Sequence, residues 1–219
     1  RSSGFVLEFL QNAEDSGLEL KTRGEFDVSI SPTRIKISHN GKQFDERDLH
    51  ALCGIGSSKK PEKGTLGYLG IGFKSVFKVT DAPEVYSGDL QFKFDRNHQE
   101  WSDPSQTPWH ITPLWLDTPS EPVDPDRTTF IVPFRDTSIH TSLMEDLAKL
   151  NTELYLFLRW IKRMTVLDER SGKKWSAENL GEQDGITTLL HNGKEQRFRF
   201  FRKTITKIPD WVREDRLTQ

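Results

Sequence analysis

Apolar residues open the chain with a helical period. Val6, Phe9, Leu10 and Ala13 fall on one face at about 100° per residue, while Glu8, Asn12 and Asp15 gather on the opposite one. This pattern predicts an amphipathic helix over residues 5–16, with Gly17 as its stop signal. The period then changes to two. Phe26, Val28 and Ile30, then Ile35 and Ile37, alternate as strand residues do, with Ser31-Pro32 as the turn between them and Asn40-Gly41 after them. Residues 45–52 predict a short helix with Asp45 as its N-cap. Residues 54–64, rich in Gly, Ser and Lys, have the composition of a mobile loop. A run of glycines, Gly67, Gly70 and Gly72, leads into a helix starting at Phe73.

Val79, Val85-Tyr86 and the alternating Leu90, Phe92 and Phe94 predict returning strands. The proline-rich residues 97–125 predict irregular chain with a strand near 110–116, and residues 129–134 a further strand. The pattern changes after Asp136. Residues 143–161 carry the longest helical period, followed by strand patterns at 165–167, 185–190 and 197–205. The expected organisation is one domain over 1–136 and, over 137–219, a helix plus strands that begin a following unit.

Composition narrows the classes. Over 219 residues, 34% hydrophobic and 11% aromatic content supply a core and exclude a disordered chain. Lys and Arg total 31 against 33 Asp and Glu, so overall charge does not suggest wholesale coating of nucleic acid. One cysteine, Cys53, excludes an internal disulfide and fits a reducing compartment. No apolar run is long enough to span a bilayer and residues 1–4 are no signal peptide, so the expectation is a soluble intracellular protein of cytoplasm or nucleus.

Three short motifs carry candidate chemistry. Glu8, Asn12 and Asp15, spaced four and then three residues apart, share a helical face. Carboxylate and amide oxygens are the ligands Mg²⁺ prefers, and a carboxylate can orient or deprotonate a water. Alone, such a motif is more often a solvated helix face. In Gly67-Tyr68-Leu69-Gly70-Ile71-Gly72-Phe73-Lys74, glycines let backbone N–H groups approach phosphate oxygens, and Lys74 just beyond them is a candidate for an electrostatic role. A dinucleotide-binding loop fails on context, because a polar, Lys-rich stretch precedes the glycines where that fingerprint needs a strand. The third motif, His39-Asn40-Gly41 at a strand end, is by itself more often a hairpin turn than a ligand site. Arg197 to Lys203 interleaves basic and aromatic residues, which suits nucleic acid, but its period of two favours an edge strand with charges outward.

The order of these pieces resembles the GHKL superfamily of ATP-binding domains, the Bergerat fold. That superfamily includes ninety-kilodalton heat-shock chaperones, DNA gyrase B subunits, MutL and MORC proteins and sensor kinases. The resemblance covers residues 5–135. Within the superfamily, Asn40-Gly41 followed by Phe44 is similar to sacsin-like and plant NO VEIN-like members. It implies an α+β fold: a two-layer sandwich of a mixed, mostly antiparallel sheet with helices on one face, plus a smaller C-terminal α+β extension. It also implies ATP and Mg²⁺ as cofactors. Glu8 then matches the water-activating glutamate, Asn12 the Mg²⁺-binding asparagine and Asp15 a polar residue near the nucleotide. Gly67, Gly70, Gly72 and Phe73 match the phosphate loop, residues 52–65 the ATP lid, and Thr129 the threonine that helps hold adenine.

One departure is evident. His39 stands where the family has the aspartate that accepts the adenine amino group, and Gln43 replaces a second glycine. A neutral His39 or the Asn40 amide is the expected substitute acceptor. The segment before the glutamate helix also looks short compared with the family. The function implied is Mg-ATP binding with slow hydrolysis, a weak ATPase working as a chaperone-like conformational switch, with dimerisation open and the client unknown. The alternatives are a degenerate, binding-only scaffold for protein contacts and, less favoured, a DNA-associated ATPase of MORC or MutL kind.

Overall fold

The computed structural model describes residues 4–54, 72–103, 105–148 and 152–201. Helix α1 (Gly4–Gly17) buries Phe5, Val6, Phe9, Leu10, Ala13, Glu14 and Gly17, a stripe of helical period. All but one of these residues are apolar or small. Glu14 is fully buried, and its oxygens accept the backbone N–H groups of Arg159 (2.6 Å), Trp160 (2.9 and 3.1 Å) and Ile161 (2.8 Å). Beside this carboxylate the Trp160 ring lies so close to Gly17 and Gly24 that a Cβ on either would overlap it.

Strands β1 (Gly24–Ile30) and β2 (Arg34–His39) form an antiparallel pair. Its turn is held by Ser31 Oγ, which accepts the N–H groups of Thr33 (3.2 Å) and Arg34 (3.1 Å). Phe26, Val28, Ile30, Ile35, Ile37 and His39 alternate inward from these two strands. Helix α2 (Glu46–Cys53) begins with the predicted cap: Asp45 accepts the N–H groups of Arg47 and Asp48, and the Asp48 carboxylate accepts the Asp45 N–H in return.

After a 3-10 turn at Lys74–Lys78 come β3 (Glu84–Ser87), β4 (Leu90–Lys93), β5 (Leu114–Trp115) and β6 (Thr128–Pro133). Helix α3 (Ser138–Ala148) and a 3-10 turn at Thr152–Leu156 follow. Strands β7 (Ile161–Asp168), β8 (Lys174–Gln183), β9 (Ile186–His191) and β10 (Lys194–Arg199) complete the described chain.

All ten strands join one sheet in the order β10-β9-β8-β7-β1-β2-β6-β3-β4-β5. Among the described residues only β1 and β7 pair in parallel. The architecture is therefore α+β, with a mixed, mostly antiparallel sheet, as expected. The core lies between that sheet and the helices: Phe9 of α1 stacks on Phe130 of β6 at 4.5 Å and 10°. The opposite face is polar. There Arg127 binds Asp27 (2.7 Å), Glu25 (3.2 Å) and Ser38 Oγ (2.9 Å), and Arg34 pairs with Glu121 at 2.6 Å. Among the described residues no helix is long and apolar enough to cross a membrane.

Three expectations change. In place of the long helix expected over 143–161 stand a helix over Ser138–Ala148 and a 3-10 turn over Thr152–Leu156, and the N–H groups of residues 159–161 bond to the Glu14 side chain instead of to carbonyls one turn back. The strand expected near 110–116 shrinks to Leu114–Trp115, after a 3-10 turn at Trp109–Ile111 behind Pro108. Strand β8 had no clear apolar alternation, since only Ala177 and Asn179 are buried along it. It is recruited by pairing with β7 and β9. Strand β10 lies at the sheet edge with its Arg197 and Arg199 exposed, and residues 202–205 of the strand expected there lie outside the described residues.

Exchanging Glu14 for Gln turns one acceptor oxygen into an NH₂ donor facing N–H donors, and leaves at least one of them unsatisfied. A loss of about 2–4 kcal/mol follows, read as a lower midpoint in urea unfolding. A midpoint equal to that of the parent chain would show that the bonds around Glu14 contribute nothing net.

Candidate functional site

The site is built where the outward side of α1 meets the ends of two loops. Glu8 and Asn12 lie one turn apart, both half-buried. Gly72, at the exit of the glycine run, packs against Glu8: a Cβ there would overlap Oε2 and come within 3.2 Å of Cδ. Only a glycine lets the backbone come this close to the carboxylate. Asn12 Nδ2 is buried and has no hydrogen-bond partner among the described residues. An orphaned buried amide is destabilising by about 1–3 kcal/mol unless something fills it. Gly67, Gly70 and all but the first three residues of the expected lid lie outside the described residues.

The second contact is at the far end of α1. A Cβ on Gly41 would overlap Ser16 Oγ, and the Lys42 N–H donates to the Ser16 carbonyl at 3.3 Å. The turn after β2 thus leans on the helix. His39, buried on the helix-facing side of β2, uses Nδ1 to accept the Gly41 N–H at 3.2 Å. Its ring is neutral, because burial, and then the Arg127 charge, lower its pKa from 6.5 to about 3. With Nδ1 accepting, Nε2 carries the proton.

Pairing places Thr128 of β6 opposite His39, and Thr128 Oγ1 lies 2.6 Å from Ser87 Oγ of β3. Ser87 Oγ also accepts the Phe44 N–H at 2.8 Å. His39, Thr128 and Ser87 form a buried polar row across three neighbouring strands, bordered by Phe130 and Phe44. A polar row on an otherwise apolar sheet face is suited to the polar edge of a planar ring.

Several candidates are placed otherwise than expected. Thr129 points away from α1: it pairs with Ser38 and Tyr86, and its Oγ1 donates to Ser38 Oγ at 3.2 Å on the polar face. One step along a strand reverses the face, so Thr128 occupies the site instead. Asn40 is no free acceptor either. Its Oδ1 accepts the Glu25 N–H at 2.7 Å and its Nδ2 donates to the Arg23 carbonyl at 2.9 Å, which ties the ends of β1 and β2 together. His39 cannot replace an accepting aspartate through Nδ1, which Gly41 already fills.

The Phe73 ring belongs to the core among Phe9, Phe77, Phe94 and Phe130. Lys74 Nζ donates to the Gly54 carbonyl at 2.6 Å, so it caps the end of α2 and joins the two borders of residues 55–71. Cys53 beside it is half-buried with its thiol pKa raised by that burial, the setting of a passive cysteine. Asp15 is half-buried on α1, two residues short of its end.

Thr128, Ser87 and Ser16 had not been singled out. The signal for Thr128 was present in the sequence: Phe130 must face the core, and residues two apart on a strand share a face.

Residues 35–113 match the Sacsin domain family. Over 96 residues the chain is 41% identical to Protein NO VEIN of Arabidopsis thaliana, covering 43% of this chain and 4% of that protein. Over 110 residues it is 26% identical to sacsin of Homo sapiens, covering 43% of this chain and 2% of that protein. The chain thus spans a small fraction of the length of these relatives. Among solved structures it is similar to the B-subunit of the DNA gyrase from Myxococcus xanthus, with a TM-score of 0.49 and 12% identity over 85% of this chain and 60% of that one. The Sacsin match holds Gly41, Gly72 and strands β3 and β4, while Glu8, Asn12 and Thr128 fall outside it and join the site through the fold.

His39 ties stability to pH with a definite sign. Its folded pKa lies below its unfolded one, so acid favours the unfolded chain: the contribution is complete above about 6.5 and shrinks as pH falls toward 3. In that window one proton makes stability fall by up to about 1.4 kcal/mol per pH unit. Urea midpoints for the parent and His39→Gln chains between neutral pH and mild acid should converge as pH falls. Parallel curves would mean that His39 is not buried neutral.

Proposed function

We propose that this segment binds Mg-ATP between α1 and the helix-facing side of β2, β6 and β3. It hydrolyses the nucleotide slowly as a chaperone-like conformational switch. The observation that supports this reading is the Glu8 carboxylate packed against Gly72, with the Asn12 amide, unpartnered among the described residues, one turn further on. A carboxylate and an amide beside a glycine backbone offer the oxygen ligands a hydrated cation needs and the N–H donors phosphate oxygens need.

In this reading Glu8 orients the attacking water and takes its proton, worth typically 10²–10⁴-fold in rate. Asn12 offers Oδ1 to Mg²⁺ and Nδ2 to an oxygen of the phosphate chain or a water. The cation, when bound, neutralises charge on the transferring phosphoryl group. Gly67, Gly70 and Gly72 bring backbone N–H groups to the phosphates, Asp15 lies toward the sugar and base, and residues 52–65 act as the lid. The base edge meets His39, Thr128 and Ser87. Because Nε2 of His39 donates where the family's aspartate accepts, the hydroxyls of Thr128 and Ser87 are the acceptors left for an adenine amino group.

Residues 1–136 form the nucleotide unit and 137–219 begin the unit that responds to it. Both act inside the cell, with a protein client and dimer contacts as the output. A binding-only scaffold is the second reading, and the internal bonds that engage both His39 Nδ1 and Asn40 are what favour it.

Mg-ATP at about a hundred times its Kd stabilises a folded chain by about 2.7 kcal/mol, a rise of about 5–10 °C in melting temperature for a chain of this size. That rise is expected here. No shift with millimolar Mg-ATP or Mg-ADP defeats nucleotide binding. Glu8→Ala should keep the shift and lose phosphate release. Release at the parent rate removes Glu8 from its role, and a shift with no release in the parent leaves the scaffold reading.

A further inference from the structure

Helix α1 ends in a short basic connection to β1 that runs beside the chain entering β7. Between these segments lies a cavity of about 370 Å³ lined by Lys21, Thr22, Arg23, Arg159, Trp160 and Lys162 together with two leucines. The volume falls within the range of small-molecule sites. Four of its lining residues are cationic and none is acidic. In a chain whose net charge is −2, that is a local concentration of one sign.

Two neighbouring acids, Glu14 and Glu178, leave Lys21 and Lys162 without an ion pair among the described residues. Glu14, directly beneath, has both oxygens occupied by the N–H groups of residues 159–161. Glu178 pairs with Arg23 at the rim, where both side chains are substantially solvated and the pair is screened. Trp160, which walls the cavity, also carries a buried indole N–H with no partner among the described residues.

We propose that this cavity binds a compact anion carrying several phosphate groups, at a site distinct from the one beside Glu8. Guanidinium forks and ammonium groups converging on a concave surface suit oxyanions with many acceptor oxygens. The hydroxyl of Thr22 adds a neutral donor, and the leucines fit the carbon frame that bears the phosphates. A cavity of this size takes a small phosphorylated molecule or a single phosphorylated lipid headgroup, and is too narrow for a nucleic-acid groove.

Inorganic tripolyphosphate is the direct probe, titrated calorimetrically into the chain near neutral pH. Saturable one-to-one binding is expected, weaker at higher salt. The double exchange Lys21→Glu with Lys162→Glu should weaken it by about tenfold or more. Asn12→Ala, which alters the other site, should leave it unchanged. Both variants are first matched to the parent by melting temperature. A loop lysine and a half-buried strand lysine are replaceable without disturbing the core, and Lys21→Gln with Lys162→Gln serves if the charge reversal melts early.

Vesicles of phosphatidylcholine with and without phosphatidylinositol bisphosphate separate the sources. Binding to phosphoinositide vesicles that the lysine exchanges remove assigns the site to a lipid headgroup. Tripolyphosphate binding without vesicle binding assigns it to a free phosphorylated molecule. No tripolyphosphate binding, equal binding by the lysine variants, or binding lost on Asn12→Ala overturns the proposal.

Discussion

A single buried carboxylate fixes how the first helix meets the sheet. A charge with no exposure is destabilising by several kcal/mol unless its acceptors are filled, and the acceptors of Glu14 are filled by consecutive backbone N–H groups of residues 159–161. Because those donors are backbone, the contact sets the path of the chain and not merely a rotamer. Trp160 is held with its ring over Gly17 and Gly24. The Gly24 N–H donates to the Trp160 carbonyl at 3.1 Å, and parallel pairing of β1 with β7 starts beside it at Ile161. The register of the sheet's parallel junction therefore follows from one side chain on α1.

The same helix is gripped twice more, each time by a glycine. Gly41 accepts the approach of Ser16 near the C-terminal end, and Gly72 that of Glu8 near the N-terminal end. In both places an added methyl group would displace the side-chain tip it meets, Ser16 Oγ or Glu8 Oε2, so the present placing of those polar atoms depends on the glycines. Close backbone approach at these two points and the Phe9–Phe130 stack fix α1 against the sheet face that carries the row His39, Thr128 and Ser87. The candidate site follows from packing constraints that are not themselves chemical.

Much of this was legible in the sequence, and the reasons are particular. The apolar stripe of α1, the alternation of β1 and β2 and the Asp45 cap depend on local periodicity and hydrogen bonding, which a sequence carries on its surface. Glu8 and Asn12 share a face for the same local reason. Thr128 was missed for Thr129 because both flank the same turn of strand, and only the inward direction of Phe130 distinguishes them. Residues 143–161 look helical because Leu and Ile recur at the right spacing. Their last three residues, 159–161, bond instead to a carboxylate 145 positions away, from Arg159 back to Glu14, which no local pattern encodes. Strand β8 is polar and owes its conformation to neighbours on both sides.

Asn12 and Glu14 stand two residues apart on one helix, the first with its amide in the candidate site and the second inside the junction with β7. No flexible element separates them, so a displacement of α1 caused at Asn12 is delivered directly to the backbone of residues 159–161. From there it passes through β7 to β8 and β9, joined by two successive ladders. A rigid connection of this kind transmits a change without creating one. For the proposed switch, the two-state element must then lie at the candidate site itself. The basic cavity sits on the same junction, beside the C-terminal end of α1. Trp160 walls that cavity and Glu14 holds the Trp160 N–H, so the cavity and the helix that carries Glu8 and Asn12 meet the same stretch of backbone.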